Sequence, residues 1–178
     1  MPDRILACDL DWTVFEHPAG TLARLMPSQA SAFGGLLWGA MKRMGLDGTA
    51  MRSAVVNPLA RSALVLAQVL GYRIHLITAR DDTPRVRAIT EHTLRVPVPV
   101  TYDRLELRPP GMDPVRHKAQ SYGIATLVLD DDLELLVQVR AALWAAGQKS
   151  VPPMVVISNP DCWQLVPDIL RVCMRTGG

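Results

Sequence analysis

The chain has 178 residues, 49% of them hydrophobic and 20% charged, and a formal net charge of +2. That length suits one domain with a real core and a small insertion, and falls short of two full domains. The near-balanced charge gives no electrostatic footprint for duplex nucleic acid or an anionic membrane, while leaving room for a local basic surface around a site.

A membrane span is not expected. The longest stretch without a charged residue, Leu25 to Met41, is broken by Pro27, Ser28, Gln29 and Ser31. Its apolar part, Ala32 to Met41, is too short and too glycine-rich to cross a bilayer. Asp3, Asp9 and Asp11 stand where a signal peptide wants a basic start and an uninterrupted apolar core. Cys8, Cys162 and Cys173 show no C-x-x-C spacing, so neither a disulfide framework nor a zinc site is expected. A cytoplasmic location is the default that follows.

In chain order, a first strand is expected over Ile5–Cys8. Residues 16–57 then break the alternation of short apolar runs with amphipathic ones, interrupted by Gly20, Gly34, Gly35, Gly39, Gly45 and Gly48, although Leu36–Met44 looks helical. This segment reads as an insertion over one end of a sheet, either a surface helix with long loops or a lid. Beyond it come a helix over Pro58–Leu70, a strand over Arg73–Ile77, a helix over Pro84–Leu94 and a strand over Val96–Tyr102. A helix over Pro114–Tyr122, a strand over Ala125–Leu129, a helix over Asp132–Ala146 and a strand over Met154–Ile157 complete the series. Asn57-Pro58, Thr83-Pro84 and Asp113-Pro114 each put a capping side chain before a proline suited to the first helical turn. Gly71, Gly123 and Gly147 are placed as left-handed stops. Continuous apolar strands between helices predict an α/β domain with a parallel sheet covered on both faces.

In such a sheet, functional groups gather at the carboxyl ends of the strands. The first strand ends in Asp9, with Asp11 two residues on. The second ends in Thr78. The run Thr126–Leu129 ends in Asp130, Asp131 and Asp132, and Lys118 lies in the helix before it. A lone D-x-D pair occurs by chance, and an acidic triplet after a strand is often only a helix N-terminus. The ordered set is more specific: carboxylate pair, hydroxyl, lysine and second carboxylate cluster, each placed relative to its own strand.

The segments Asp9-Leu10-Asp11-Trp12-Thr13-Val14, Ile77-Thr78-Ala79-Arg80, Lys118 and Leu129-Asp130-Asp131 resemble the four motifs of haloacid dehalogenase (HAD) type phosphatases. The resemblance implies a three-layer Rossmann-like fold over residues 1–178, capless or with a small helical insertion at 16–57. A closer likeness, from Thr78 to about Gly147, is to the 3′-phosphatase domain of bacteriophage-type polynucleotide kinases. It rests on Arg80, on Arg85 or Arg87, on Thr90 with Leu94, on Arg108-Pro109-Pro110-Gly111 and on Asp130-Asp131. Trp12 departs from the glycine usual at its position, Met112 separates Gly111 from Asp113, and no phosphate-binding P-loop of a kinase is present.

The resemblance implies a Mg²⁺-dependent phosphatase. Asp9 would be the nucleophile that becomes an aspartyl-phosphate, and Asp11 the acid/base. Thr78 and Arg80 would bind the phosphoryl group, and Lys118, favoured over Arg116, would offset the crowded charge. Asp9, the Asp11 carbonyl, Asp130 and Asp131 would hold the metal. The expected substrate is a nucleic-acid 3′ end or a nucleotide. A small-molecule or phosphoprotein phosphatase with the same machinery, and a non-catalytic binding protein on the same fold, are the alternatives. His75 is expected to pack in the core, and His17, His92 and His117 share no metal-ligand spacing. Trp38 with Met41 and Met44 reads as a packing stripe, and Trp163 as packing the last strand onto the sheet.

Overall fold

The computed structural model describes residues 4–16, 54–96 and 99–176. The strands are β1 (Arg4–Asp9), β2 (Phe15–Glu16), β3 (Val55–Val56), β4 (Tyr72–Asp81), β5 (Arg104–Arg108), β6 (Leu127–Asp130) and β7 (Met154–Val156). The helices are α1 (Pro58–Val69), α2 (Pro84–Arg95), α3 (Pro114–Tyr122), α4 (Leu133–Ala145) and α5 (Val166–Thr176), with a 3-10 turn at Pro160–Gln164.

Five strands form one parallel sheet in the order β5-β4-β1-β6-β7, with β1 between β4 and β6. The register sets Asp9 beside Ile77, one residue short of Thr78, and Cys8 beside Leu129, one short of Asp130. β1 and β6 therefore deliver Asp9 and Asp130 from their ends to one rim, while Thr78 lies at the same level within β4, which runs on to Asp81 past the expected end at Ile77.

Side chains alternate between the two faces of β1, and each face has its own core. Leu6 and Cys8 pack with Ile74, Leu76, Leu127 and Leu129 against α1, α2 and α5, contributing Leu64, Leu94 and Leu170 among others. Ala7, Ile77 and Val128 pack on the other face against Tyr122 of α3 and Leu136, Val139 and Leu143 of α4. The result is the three-layer parallel architecture expected. Asn57, Thr83 and Asp113 cap their helices as expected, and Asp132 caps α4 by accepting from the Leu135 N–H at 2.9 Å.

Several expectations need correction. No strand forms over the described part of Val96–Tyr102; the third expected strand is instead Arg104–Arg108. Val100 still enters the core, but as a loop residue. Among the described residues the strand RLELR is at the sheet edge, paired on one side, where charges are tolerated and discourage further pairing. Gly71 and Gly147 have φ of +83° and +79°, as left-handed stops should. Gly123 does not: its φ is −59°. A side chain at Gly123 would instead meet Gln148 Oε1 at 2.9 Å and Leu143 Cδ2 at 3.0 Å, so close approach of α3 to the end of α4 explains that glycine. The 3-10 turn and α5 follow the last strand where no element was expected.

Phe15 and Glu16 pair antiparallel with Val56 and Val55, so the chain leaves and re-enters at one place. The expected helix at Leu36–Met44, His17 and the Trp38 stripe lie outside the described residues. No helix among the described residues is long and apolar enough to cross a membrane.

Candidate active site

Asp9 ends β1 and is buried, as are Lys118 of α3 and Asp130 at the end of β6. Lys118 Nζ lies 2.8 Å from Asp9 Oδ1 and 2.6 Å from Asp130 Oδ2, bridging two strands from the helix above them. Burial alone would lower the Lys118 pKa, but Asp9 and Asp130 outweigh it and hold the ammonium charged. Arg116, the less favoured candidate, is exposed on α3.

Tyr122, one helical turn beyond Lys118, donates its hydroxyl to Asp130 Oδ2 at 2.6 Å. The Asp132 N–H donates to Asp130 Oδ1 at 3.1 Å. Asp131 accepts from Thr13 Oγ1 at 3.3 Å. Carboxylate oxygens of Asp9, Asp130 and Asp131 lie within 4.8 Å of one another. Burial pushes the Asp9 carboxyl well above the ordinary carboxylate range despite the opposing pull of Lys118. Burial and the neighbouring Asp130 push Asp131 up to about 7. Asp9 and Asp130 share one lysine with Asp131 close by, so burial first and neighbouring negative charge next raise these values. A divalent cation with oxygen-ligand preference fits this donor set and would relieve that repulsion.

The other half of the site is built around Asp11. Its carboxylate accepts a two-pronged contact from Arg80, with Nε at 2.6 Å from Oδ2 and Nη2 on Oδ1. Thr78 Oγ1 lies 3.5 Å from Asp11 Oδ2 and accepts from the Arg80 N–H at 3.3 Å. Arg80 is only 1% exposed, and its Nη1 is buried with no hydrogen-bond partner among the described residues. The expected link from Asp11 to a metal runs through its backbone carbonyl; its carboxylate is engaged with Arg80.

Between the two aspartates the backbone turns sharply. Trp12 has φ of +62°, a left-handed conformation costly for a bulky residue, which explains why glycine is usual in the motif it resembles. The turn is held by Phe15 N–H to Leu10 O at 2.8 Å and by Trp163 Nε1, which donates to Thr13 O at 2.9 Å. Trp163, buried in the 3-10 turn, therefore packs against the site loop as well as the sheet.

The arginines divide by environment. Arg87 forks onto Asp82 at 2.9 and 2.8 Å, a local surface pair, and Arg85 is exposed on α2. Arg108 donates Nε to Ala79 O at 2.8 Å and also contacts Asp81 and Met112 O, tying the Pro109–Met112 turn to the end of β4. Gly111 in that turn has φ of +78°, and Met112 N–H closes it on Pro109 O at 3.0 Å.

A groove of about 390 Å³ runs beside β5 and α3, lined by Arg104, Glu106, Met112, His117 and Ser121 among others. Asp9, Asp11, Thr78 and Asp130 do not line it, and the carboxylate geometry rather than the groove marks the chemistry. Sequence reasoning missed Thr13, Tyr122 and Trp163. Tyr122 had a usable signal, since it follows Lys118 at the i,i+4 spacing that puts two side chains on one helical face.

No protein-family profile and no curated protein matches the chain. Solved structures do. A chain in the structure of a Pnkp1/Rnl/Hen1 complex is 20% identical, with 86% of this chain and 45% of that chain aligned at a TM-score of 0.54. In another structure, of the Pnkp1/Rnl/Hen1 RNA repair complex, the match is 19% identical over 87% of this chain and 42% of that one, at a TM-score of 0.57. The HAD domain of effector protein Lem4 from Legionella pneumophila is 14% identical over 96% of this chain and 95% of its own, at a TM-score of 0.54. The chain spans less than half of the two matched chains of the Pnkp1/Rnl/Hen1 complexes and nearly all of the Lem4 domain. At these identities the likeness establishes the fold, a Rossmann-like α/β fold of the HAD type.

Proposed function

We propose that the chain is a phosphoric monoester hydrolase in which Asp9 is the nucleophile. The observation that carries this is the buried Asp9–Lys118–Asp130 bridge with Asp131 beside it, at the carboxyl rim of a parallel sheet. A phosphate dianion repels a carboxylate nucleophile, so the site must supply positive charge and in-line positioning. Asp9, Asp130 and Asp131 would hold Mg²⁺, a hard cation that screens phosphoryl charge when bound.

In this reading an Asp9 oxygen attacks phosphorus, the bond from phosphorus to the leaving oxygen breaks, and an aspartyl-phosphate forms. Asp11 gives a proton to the leaving oxygen and later takes one from the water that releases phosphate. The Arg80 fork orients the Asp11 carboxylate for the second step. For the first step Asp11 must carry a proton, so Arg80 passes from Asp11 to the incoming phosphoryl oxygens, helped by its Nη1, which has no hydrogen-bond partner among the described residues. Thr78 donates its hydroxyl to a phosphoryl oxygen, and Lys118 keeps Asp9 in place.

The substrate we favour is a phosphorylated nucleic-acid 3′ end or a nucleotide. The likeness from Thr78 to Gly147 supports it, as does the fold shared with a chain of an RNA repair complex. A small-molecule phosphatase is the second reading, favoured by a net charge of only +2 and by the engagement of Arg87 and Arg108 in local contacts. Phosphate release from a 3′-phosphorylated oligonucleotide, mononucleotides and sugar phosphates, each with and without EDTA, tests both. Preference for the oligonucleotide supports the first reading. Equal or better turnover of sugar phosphates replaces it with the second, and no release from any substrate with Mg²⁺ present overturns the enzyme reading.

A further inference from the structure

Asp130 is fully buried, and three donors converge on it. Oδ2 accepts from Lys118 Nζ at 2.6 Å and from the Tyr122 hydroxyl at 2.6 Å, while Oδ1 accepts the Asp132 N–H at 3.1 Å. Each carboxylate oxygen offers two lone-pair sites. The two on Oδ2 are taken, and one remains on Oδ1. We infer that Tyr122 is a positioning residue for the metal site: by occupying the second site on Asp130 Oδ2, it leaves Oδ1 as the single oxygen that Asp130 presents to a cation.

The hydroxyl is what this role needs. The Tyr122 ring is already buried in the core formed by Ala7, Ile77, Val128 and Leu136, and packing there would be served equally by phenylalanine. The ring also lies 5.7 Å from Lys118 Nζ, so the same side chain steadies the ammonium that shares Oδ2. Without the hydroxyl, Oδ2 regains a free lone pair and the carboxylate can turn or offer both oxygens. Such freedom matters differently to different ions. Mg²⁺ demands near-ideal octahedral geometry, while Ca²⁺ accepts two oxygens from one carboxylate.

Tyr122→Phe leaves Lys118 on Asp130 and removes no apolar contact, so the fold is retained; near-ultraviolet circular dichroism checks it. The inference rests on the metal-dependent reading above, and the test separates the two. Mg²⁺ and Ca²⁺ are titrated calorimetrically into metal-free wild type and Y122F. The expected result is about 10–100-fold weaker Mg²⁺ binding in Y122F, the range for loss of a hydrogen bond to a ligand, with a smaller loss for Ca²⁺, so that the preference between the ions shifts. Wild-type binding with unchanged affinity and ion preference in Y122F overturns the role of Tyr122 and leaves the metal reading intact. An equal loss for both ions makes Tyr122 a general support and also overturns it. No binding of either ion by the wild type removes the metal reading itself.

Discussion

The two halves of the site, on either side of the β1 end, are built on opposite terms. On the β6 side, Asp9, Lys118, Tyr122 and Asp130 are buried and cross-linked at 2.6–2.8 Å. On the β4 side, the Asp11 side chain is 26% exposed and takes the two-pronged contact from Arg80, with the Thr78 hydroxyl beside it. A group that must keep a geometry gains from burial and redundant donors. A group that must pass protons to a leaving oxygen and take them from water needs contact with solvent. Under the mechanism proposed above, one half would keep position and the other would carry the proton traffic.

The hardest break is Asp9→Asn. It should lower phosphate release from an aryl phosphate by at least about 10³-fold, as expected for loss of a nucleophile, with unchanged near-ultraviolet circular dichroism. Retained turnover would remove Asp9 from the reaction. Next comes Arg80→Lys, which keeps the charge but cannot make the planar fork. A loss of about a hundredfold in kcat is expected if Arg80 organises the acid/base step, and a shifted pH profile should accompany it. A change confined to KM would reduce Arg80 to a phosphate anchor.

The pH dependence of stability sharpens the same contrast. Asp9 and Asp131 have raised pKa values, Asp131 up to about 7, through burial first and neighbouring carboxylates next. The metal-free folded chain therefore binds more protons than the unfolded chain above the ordinary Asp value of about 3.9. Stability from this source is full below that value and is lost as pH rises through about 7. His75 and His117 act with the opposite sign: burial lowers their pKa values, so their contribution is lost as pH falls below the unfolded value of about 6.5. Thermal melts from pH 5 to 8 should show both limbs in EDTA, and saturating Mg²⁺ should abolish only the decline toward pH 8. A decline that survives Mg²⁺ would mean the carboxylates do not hold the ion.

The smallest expected effect is that of Trp163→Phe. It removes the donor to Thr13 O and should cost about 1–3 kcal/mol for a buried acceptor left without a partner, read from urea melts. Activity should fall only a few-fold, through a looser turn at Trp12. A loss as large as that of Asp9→Asn would place Trp163 far closer to the chemistry than its position indicates.

Much of this was legible in the residues. The apolar run Leu6–Cys8 and the proline-capped helices announce their elements because local pattern and tertiary burial agree. The strand Arg104–Arg108 was not legible, because an edge strand hides its period behind charges that one-sided pairing tolerates. Asp9, Asp11, Thr78, Lys118 and Asp130 could be named because each follows an expected strand end or faces one from a helix, and the fold gathers them at one rim. Trp163 escaped because its role depends on a long-range contact, reaching across 150 residues of sequence to Thr13, whereas Tyr122 carried a spacing signal beside Lys118 that went unread. The Arg80–Asp11 fork escaped for the same reason as Trp163: spacing shows two charged residues and not which partner each takes.

The short clasp between Phe15–Glu16 and Val55–Val56 carries an engineering consequence. The polypeptide departs and returns through adjacent hydrogen-bonded residues, so the sheet sees that excursion as closed at its base whatever its length. Phe15 stands only two residues beyond Thr13, the donor to Asp131. The clasp is therefore a natural graft point, where residues between Glu16 and Val55 could be shortened or exchanged while the strands of the sheet stay in register.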